Sequence, residues 1–158
     1  MILSEVAKII NAGPPKDING AGLDGAYVFM GNYKHLTAII QIGVTGGAAP
    51  SVTVEKSATG SGAGTQITFY LRECVTAYNA SGGDTYYGAA GFKLKTGYGL
   101  TTTDNVFAVV ELDGSELGGY GYVRVRLSDP SAGALASICY ILTEARYAEE
   151  VQPQAIKV

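Results

Sequence analysis

His35, Cys74 and Cys139 are the chain's only imidazole and its only two thiols. A histidine acting as a general base needs a nucleophile or carboxylate beside it in space, and the run Asn32-Tyr33-Lys34-His35 supplies neither. His35 therefore reads as a structural or surface residue. One histidine and two distant thiols make a poor zinc set, and neither cysteine has a partner at CxxC spacing. Both thiols sit in apolar, strand-like runs and read as free and buried. A disulfide between them requires neighbouring strands, because the Cβ atoms must approach to about 4.5 Å. Glu73, Glu111 and Glu144 stand in or beside strand-like runs, where a glycosidase would carry its carboxylate pair. Acids on a solvated strand face are the simpler reading. The glycine clusters lack the Gly-Lys-Ser/Thr ending of a phosphate cradle, and Gly60-Ser61-Gly62 is in the wrong frame for a nucleophile elbow. Asn79-Ala80-Ser81 matches a glycosylation sequon, which carries meaning only in a secreted chain. No catalytic, cofactor-binding or metal-binding residue is assigned.

These residues hang on strands. Val123, Val125 and Leu127 alternate with Tyr122, Arg124 and Arg126, the period of two that marks a half-buried strand. Similar runs are read at 26–30, 35–44, 52–55, 67–72, 92–95, 106–112 and 137–146, parted by turn signals such as Asn19-Gly20 and Asp113-Gly114. The unbroken run Leu36–Ile42 predicts a central strand covered on both faces. Lys93 and Lys95 suit an edge. Small residues at 57–64 suggest a mobile hairpin tip, and 79–91 is the longest irregular excursion. Ile2, Val6, Ile9 and Ile10 recur at helical spacing, with Ser4 as cap and Pro14-Pro15 forbidding continuation. That predicts a helix of about two or three turns, too short to stand alone. The expected organisation is an N-terminal helical arm over 1–13, a β domain over 14–148 and an extended tail over 149–158. The fold class is all-β, a single-domain antiparallel β-sandwich or jelly roll with a short N-terminal helix.

Composition narrows the partners. The 158 residues are 47% hydrophobic and only 16% charged, so much of the surface is neutral or covered by other subunits. A net charge of −3 argues against nucleic acid, which demands a basic patch. Asp104, Glu111, Asp113 and Glu116 fall in one stretch, with Arg124 and Arg126 close behind; pairing of these charges across adjacent strands is expected. The N-terminus lacks a basic leader, and no stretch approaches the roughly 18 apolar residues of a membrane span, so a cytosol-made chain with no membrane is expected. There are 11 tyrosines and no tryptophan. Tyr86, Tyr87 and Tyr98 lie in or beside irregular segments, where their rings serve either as partner contacts or as lids on the domain ends. With the apolar positions Ile2, Val6 and Ile9 of the arm, they are the interface candidates.

Three blocks together carry a resemblance: Tyr33-Lys34-His35-Leu36-Thr37-Ala38-Ile39-Ile40-Gln41-Ile42-Gly43-Val44, then Val52-Thr53-Val54-Glu55-Lys56-Ser57, then Gly121–Pro130 followed by Tyr140-Ile141-Leu142 and Ala145-Arg146-Tyr147. In this order, over roughly residues 26–147, the chain resembles small virion structural proteins encoded among the head genes of tailed bacteriophages. The resemblance implies a non-enzymatic particle component, a head decoration or cement protein that binds the major capsid protein as a trimer or dimer. It would be made in the bacterial cytoplasm and end in the virion. A tail or neck component and a glycan- or receptor-binding module are the other roles open to it. It also implies that the terminal arms, 1–12 and 149–158, serve attachment more than folding.

Overall fold

A computed structural model describes residues 3–74, 93–100, 104–146 and 155–156. The regular elements of the described residues are antiparallel strands, with one α-helical turn and two 3-10 turns. β1 (Lys8–Asp17), β4 (Tyr33–Thr45), β7 (Phe69–Cys74), β8 (Lys93–Lys95), β10 (Val106–Asp113) and β12 (Ala134–Ala145) form sheet A, in the order β1-β12-β4-β10-β7-β8. β2 (Leu23–Asp24), β11 (Tyr122–Leu127), β5 (Ser51–Ser57) and β6 (Thr65–Ile67) form sheet B in that order. β3 (Val28–Phe29) pairs with β11 and β9 (Tyr98–Gly99) with β5. Alternation decides which side of each strand is dry. Leu36, Ala38, Ile40 and Ile42 of β4 are at most 2% exposed, as are Val123, Val125 and Leu127 of β11. The two inward faces share one hydrophobic core, in the two-layer arrangement expected from the strand pattern.

A polar strut ties the layers. Tyr140, on the inward face of β12, is fully buried, and its hydroxyl oxygen accepts the Val125 backbone N–H of β11 at 2.7 Å. That N–H needs a partner because β11's neighbours on this side are interrupted: β2 covers Arg126 and Leu127, and β3 covers Tyr122 and Val123. Gly25 fills the gap with its own N–H on the Val125 carbonyl at 2.9 Å. A side chain at Gly25 would meet the Tyr140 hydroxyl at 2.5 Å and the Val125 carbonyl at 2.6 Å, so the close approach requires glycine.

Three expectations are corrected: the N-terminal helix, the double-sided cover of β4 and the mobile tip at 57–64. The two- to three-turn N-terminal helix is absent: one turn, Leu3–Val6, is followed directly by β1. Ile10 and Ala12 turn inward at 6% exposure each and Ile9 turns outward, so the local chain follows the sheet's period and not the helix's. Pro14 and Pro15 are tolerated within β1 because it is an edge strand that does not need their missing N–H groups. The arm at 1–13 thus contributes core residues, and Ala155 and Ile156 return to the domain as well: Ala155 is 2% exposed and its carbonyl accepts the Phe29 N–H at 2.7 Å. β4 is central, yet only one face is fully buried; Thr37 and Ile39 on the other face are half-buried. The 57–64 connection is tied down, since Ser57 Oγ accepts from the Thr59 and Gly60 amides and the Tyr27 hydroxyl donates to the Gly62 carbonyl at 3.2 Å.

Candidate interaction surface

Strand register sets what each outward face displays. On sheet A, one row across the strands reads Asn11, Cys139, Ile39, Val109, Arg72, and the next Ile9, Ile141, Thr37, Glu111, Tyr70. The β1–β12–β4 half of this face is apolar: Ile9 is 48% exposed, and Ile141, Cys139 and Ile39 are half-buried. Leu3 and Val6, each 45% exposed, lie in the helical turn just before β1. A groove of about 270 Å³ lined by Gln41, Gly43, Asn105 and Phe107 opens toward the other end of the same face.

The end of the β4–β10 pair that carries His35, Thr37 and Glu111 is polar. His35 Nε2 is hydrogen-bonded to Glu111 Oε2, and Thr37 Oγ1 donates to the same oxygen at 2.9 Å. The carboxylate partner that the local sequence did not supply comes from 76 residues away. Because the hydroxyl faces the carboxylate and not the imidazole, the trio does not form a nucleophile–histidine–acid relay. The arrangement pins β4 to β10. Among the described residues, no three His, Cys, Asp or Glu side chains converge as a metal-binding group.

The expected pairing of the 104–116 acids with Arg124 and Arg126 is overturned, because those arginines lie in the other sheet. Arg124 donates through Nε and Nη2 to Glu55 Oε2 at 3.0 and 2.8 Å, and Arg126 through Nη1 to Glu55 Oε1 at 2.7 Å. Asp24 takes Arg126 Nε at 2.6 Å and Arg124 Nη1 at 3.3 Å. Arg124 also lies over the Tyr27 ring, 4.5 Å from its centroid. Burial would raise the Glu55 carboxyl, but the hydrogen bonds from Arg126 and Arg124 outweigh it and hold the group below the usual range. The four acids instead have local partners. Asp104 accepts from the Thr45 N–H and hydroxyl, Asp113 and Glu116 form a capping box around the 3-10 turn Gly114–Leu117, and Glu111 holds His35.

Of the interface candidates, Val6 and Ile9 are exposed. Tyr98 is not a free ring: its hydroxyl donates to the buried Glu73 carboxylate at 2.8 Å and its ring packs against the core. Ile2, Tyr86 and Tyr87 lie outside the described residues, as do the 79–91 excursion and the Asn79 sequon. Cys74 is buried on β7 and Cys139 half-buried on β12, with β10 and β4 between them. Three strand spacings of about 4.8 Å put them beyond disulfide reach, so the two do not form a disulfide with each other. Sequence reasoning missed the outward-facing edge of β1, because Ile9 and Ile10 were assigned to a helix.

No protein-family profile matches the chain, and no curated protein matches its sequence. Among solved structures, the crystal structure of the SPBc2 prophage-derived protein YomS superposes with a TM-score of 0.52 over 87% of this chain and 93% of that one, at 11% identity. At that identity the likeness is one of fold.

Proposed function

We propose that this chain is a structural protein of a phage particle, a decoration or cement protein that binds the outer shell of the head and braces it without catalysing a reaction. One observation carries the reading. A two-layer slab sharing its fold with a prophage-derived protein exposes Leu3 and Val6 before β1, and on the outward face of sheet A an apolar patch of Ile9, Ile141, Cys139 and Ile39. Apolar patches of this kind mark contact surfaces. A brace works by mass action, because anything that binds only the assembled shell stabilises it, and many weakly bound copies act together. Quantitative mass spectrometry and immunogold labelling of purified particles test this. Labels distributed over the head at shell-like copy number support it. Labels confined to the tail or neck would make the chain a component of those parts. Absence from particles together with glycan binding by the isolated chain would make it a recognition module.

A further inference from the structure

β1 is the edge of sheet A, and its backbone shows which groups are left over. The Arg146 N–H donates to the Asn32 carbonyl at 2.9 Å, flanking the Tyr33–Ala145 pair, so Arg146 turns its backbone groups toward β4. In an antiparallel strand the amide and carbonyl of one residue point to the same side, and the next residue's point to the other. Leu142 and Tyr140 therefore face β4, while Ile141 and Cys139 face β1. Opposite them, Ile9 and Asn11 make the ladder bonds, and Lys8 and Ile10 turn their N–H and C=O groups to the open edge. Ala12, in phase with them, shows the same direction: its carbonyl leaves the sheet and accepts the Ala26 N–H at 2.8 Å. Among the described residues nothing answers Lys8 and Ile10.

We propose that this open segment pairs with the same segment of a second copy of the chain, antiparallel about a two-fold axis through Ile9. The accessible window is bounded by the helical turn ending at Val6 and by Ala26 closing on Ala12, which leaves Ala7–Asn11, a stretch centred on Ile9. Beyond it, Pro14 and Pro15 bar a partner strand. Three two-fold registers bring outward-facing groups together. Centring on Lys8 would set the two lysines opposite each other and Ile10 against the helical turn. Centring on Ile10 would require Ala12, whose carbonyl is taken. Centring on Ile9 alone pairs each Lys8 with Ile10 of the other copy, giving four backbone hydrogen bonds and no like-charge contact. The two Ile9 side chains then meet in a non-hydrogen-bonded pair with Cα atoms about 4.5 Å apart. The apolar row continues Ile141–Ile9–Ile9–Ile141 through the seam. The twelve strands of two A sheets become one continuous sheet. This pairing rests on strand geometry and stands apart from the capsid reading.

Sedimentation equilibrium of the full chain should show a reversible dimer. Oxidation of Ile9→Cys should give a disulfide-linked dimer on a non-reducing gel, above the level of the wild-type chain with its own two thiols. Asn11→Cys lies on the same face, but its mate is about 14 Å away along the strand, and it should not cross-link. Ile9→Lys places like charges opposite each other and should weaken the dimer about tenfold or more while leaving the far-ultraviolet dichroism and thermal midpoint near wild type, since Ile9 is exposed. A chain that stays monomeric at every concentration, cross-linking at position 11 as fast as at 9, or a folded Ile9→Lys that associates like wild type would each overturn the pairing.

Discussion

Tyr140→Phe isolates the strut between the sheets. The substitution keeps the ring in the core and removes one oxygen, leaving the Val125 N–H without its acceptor in a site fully shielded from water. Leaving a buried donor unpaired costs about 1–3 kcal/mol, more than the net worth of an average hydrogen bond, because the desolvation of the N–H is no longer offset. For a chain of this size each kcal/mol lowers the thermal midpoint by about 2–4 °C, so a loss of about 2 kcal/mol appears as about 4–8 °C. Urea unfolding followed by circular dichroism should show a lower midpoint at unchanged slope, since the exposed surface is the same. Gly25→Ala should cost at least as much, because its Cβ meets both the Tyr140 hydroxyl and the Val125 carbonyl below 3 Å. In the double variant the first clash disappears and the second remains, so the combined loss should be smaller than the sum. A Tyr140→Phe loss under about 0.5 kcal/mol, or strict additivity with Gly25→Ala, would refute the account.

Acid should destabilise the fold in a defined window. Glu55, Asp17 and Asp113 all sit below their ordinary values of 4.5, 3.8 and 3.8: Glu55 through Arg126 and Arg124 against its burial, Asp17 through the Asn19 and Ala134 amides, Asp113 through Ser115. A depressed carboxyl stabilises fully above its unfolded value and loses that contribution as pH falls through the folded one. The contribution of these three groups should therefore be lost below about pH 4.5, and Glu55→Gln should flatten the fall; an unchanged acid profile in Glu55→Gln would remove Glu55 from the explanation. Deleting residues 1–12 should lower the thermal midpoint sharply, since it strips Ile10 and Ala12 from the core, each large apolar loss being worth about 2–5 kcal/mol. A truncated chain as stable as the full one would return these residues to the role of a dispensable arm. Reducing agent should leave the midpoint unchanged, and a thiol titration should count two free cysteines; a mass lower by two hydrogens would contradict the strand order.

What the sequence disclosed follows from the range of the interactions involved. The alternation in β11 is local, two residues at a time, and it set Val123, Val125 and Leu127 on one apolar face before any partner was known. The charge pairs are not local. Arg124 meets Glu55 across 69 residues and Arg126 meets Asp24 across 102, so nearness in sequence favoured the wrong acids. His35 and Glu111 meet only because the β4–β10 register sets Glu111 beside Thr37, one inward residue from His35, and register is a property of the assembled sheet.

β1 failed for a different reason. Ile2, Val6, Ile9 and Ile10 fit a helical stripe, and two prolines look like a helix terminator, yet every one of those signals is also compatible with an edge strand that has one apolar side on each face. A helix over 1–13 would bury one stripe and leave β12 as the edge, with the ladder groups of Cys139 and Ile141 unanswered over a strand of 12 residues. Pairing β1 along β12 satisfies those groups and buries Ile10 and Ala12, while the prolines fall where no further N–H is needed. The tertiary gain outweighs helix propensity in a segment too short to hold a helix alone. The same choice passes the edge outward by one strand, from β12 to Lys8 and Ile10, and it is this displaced edge that a second copy is placed to close.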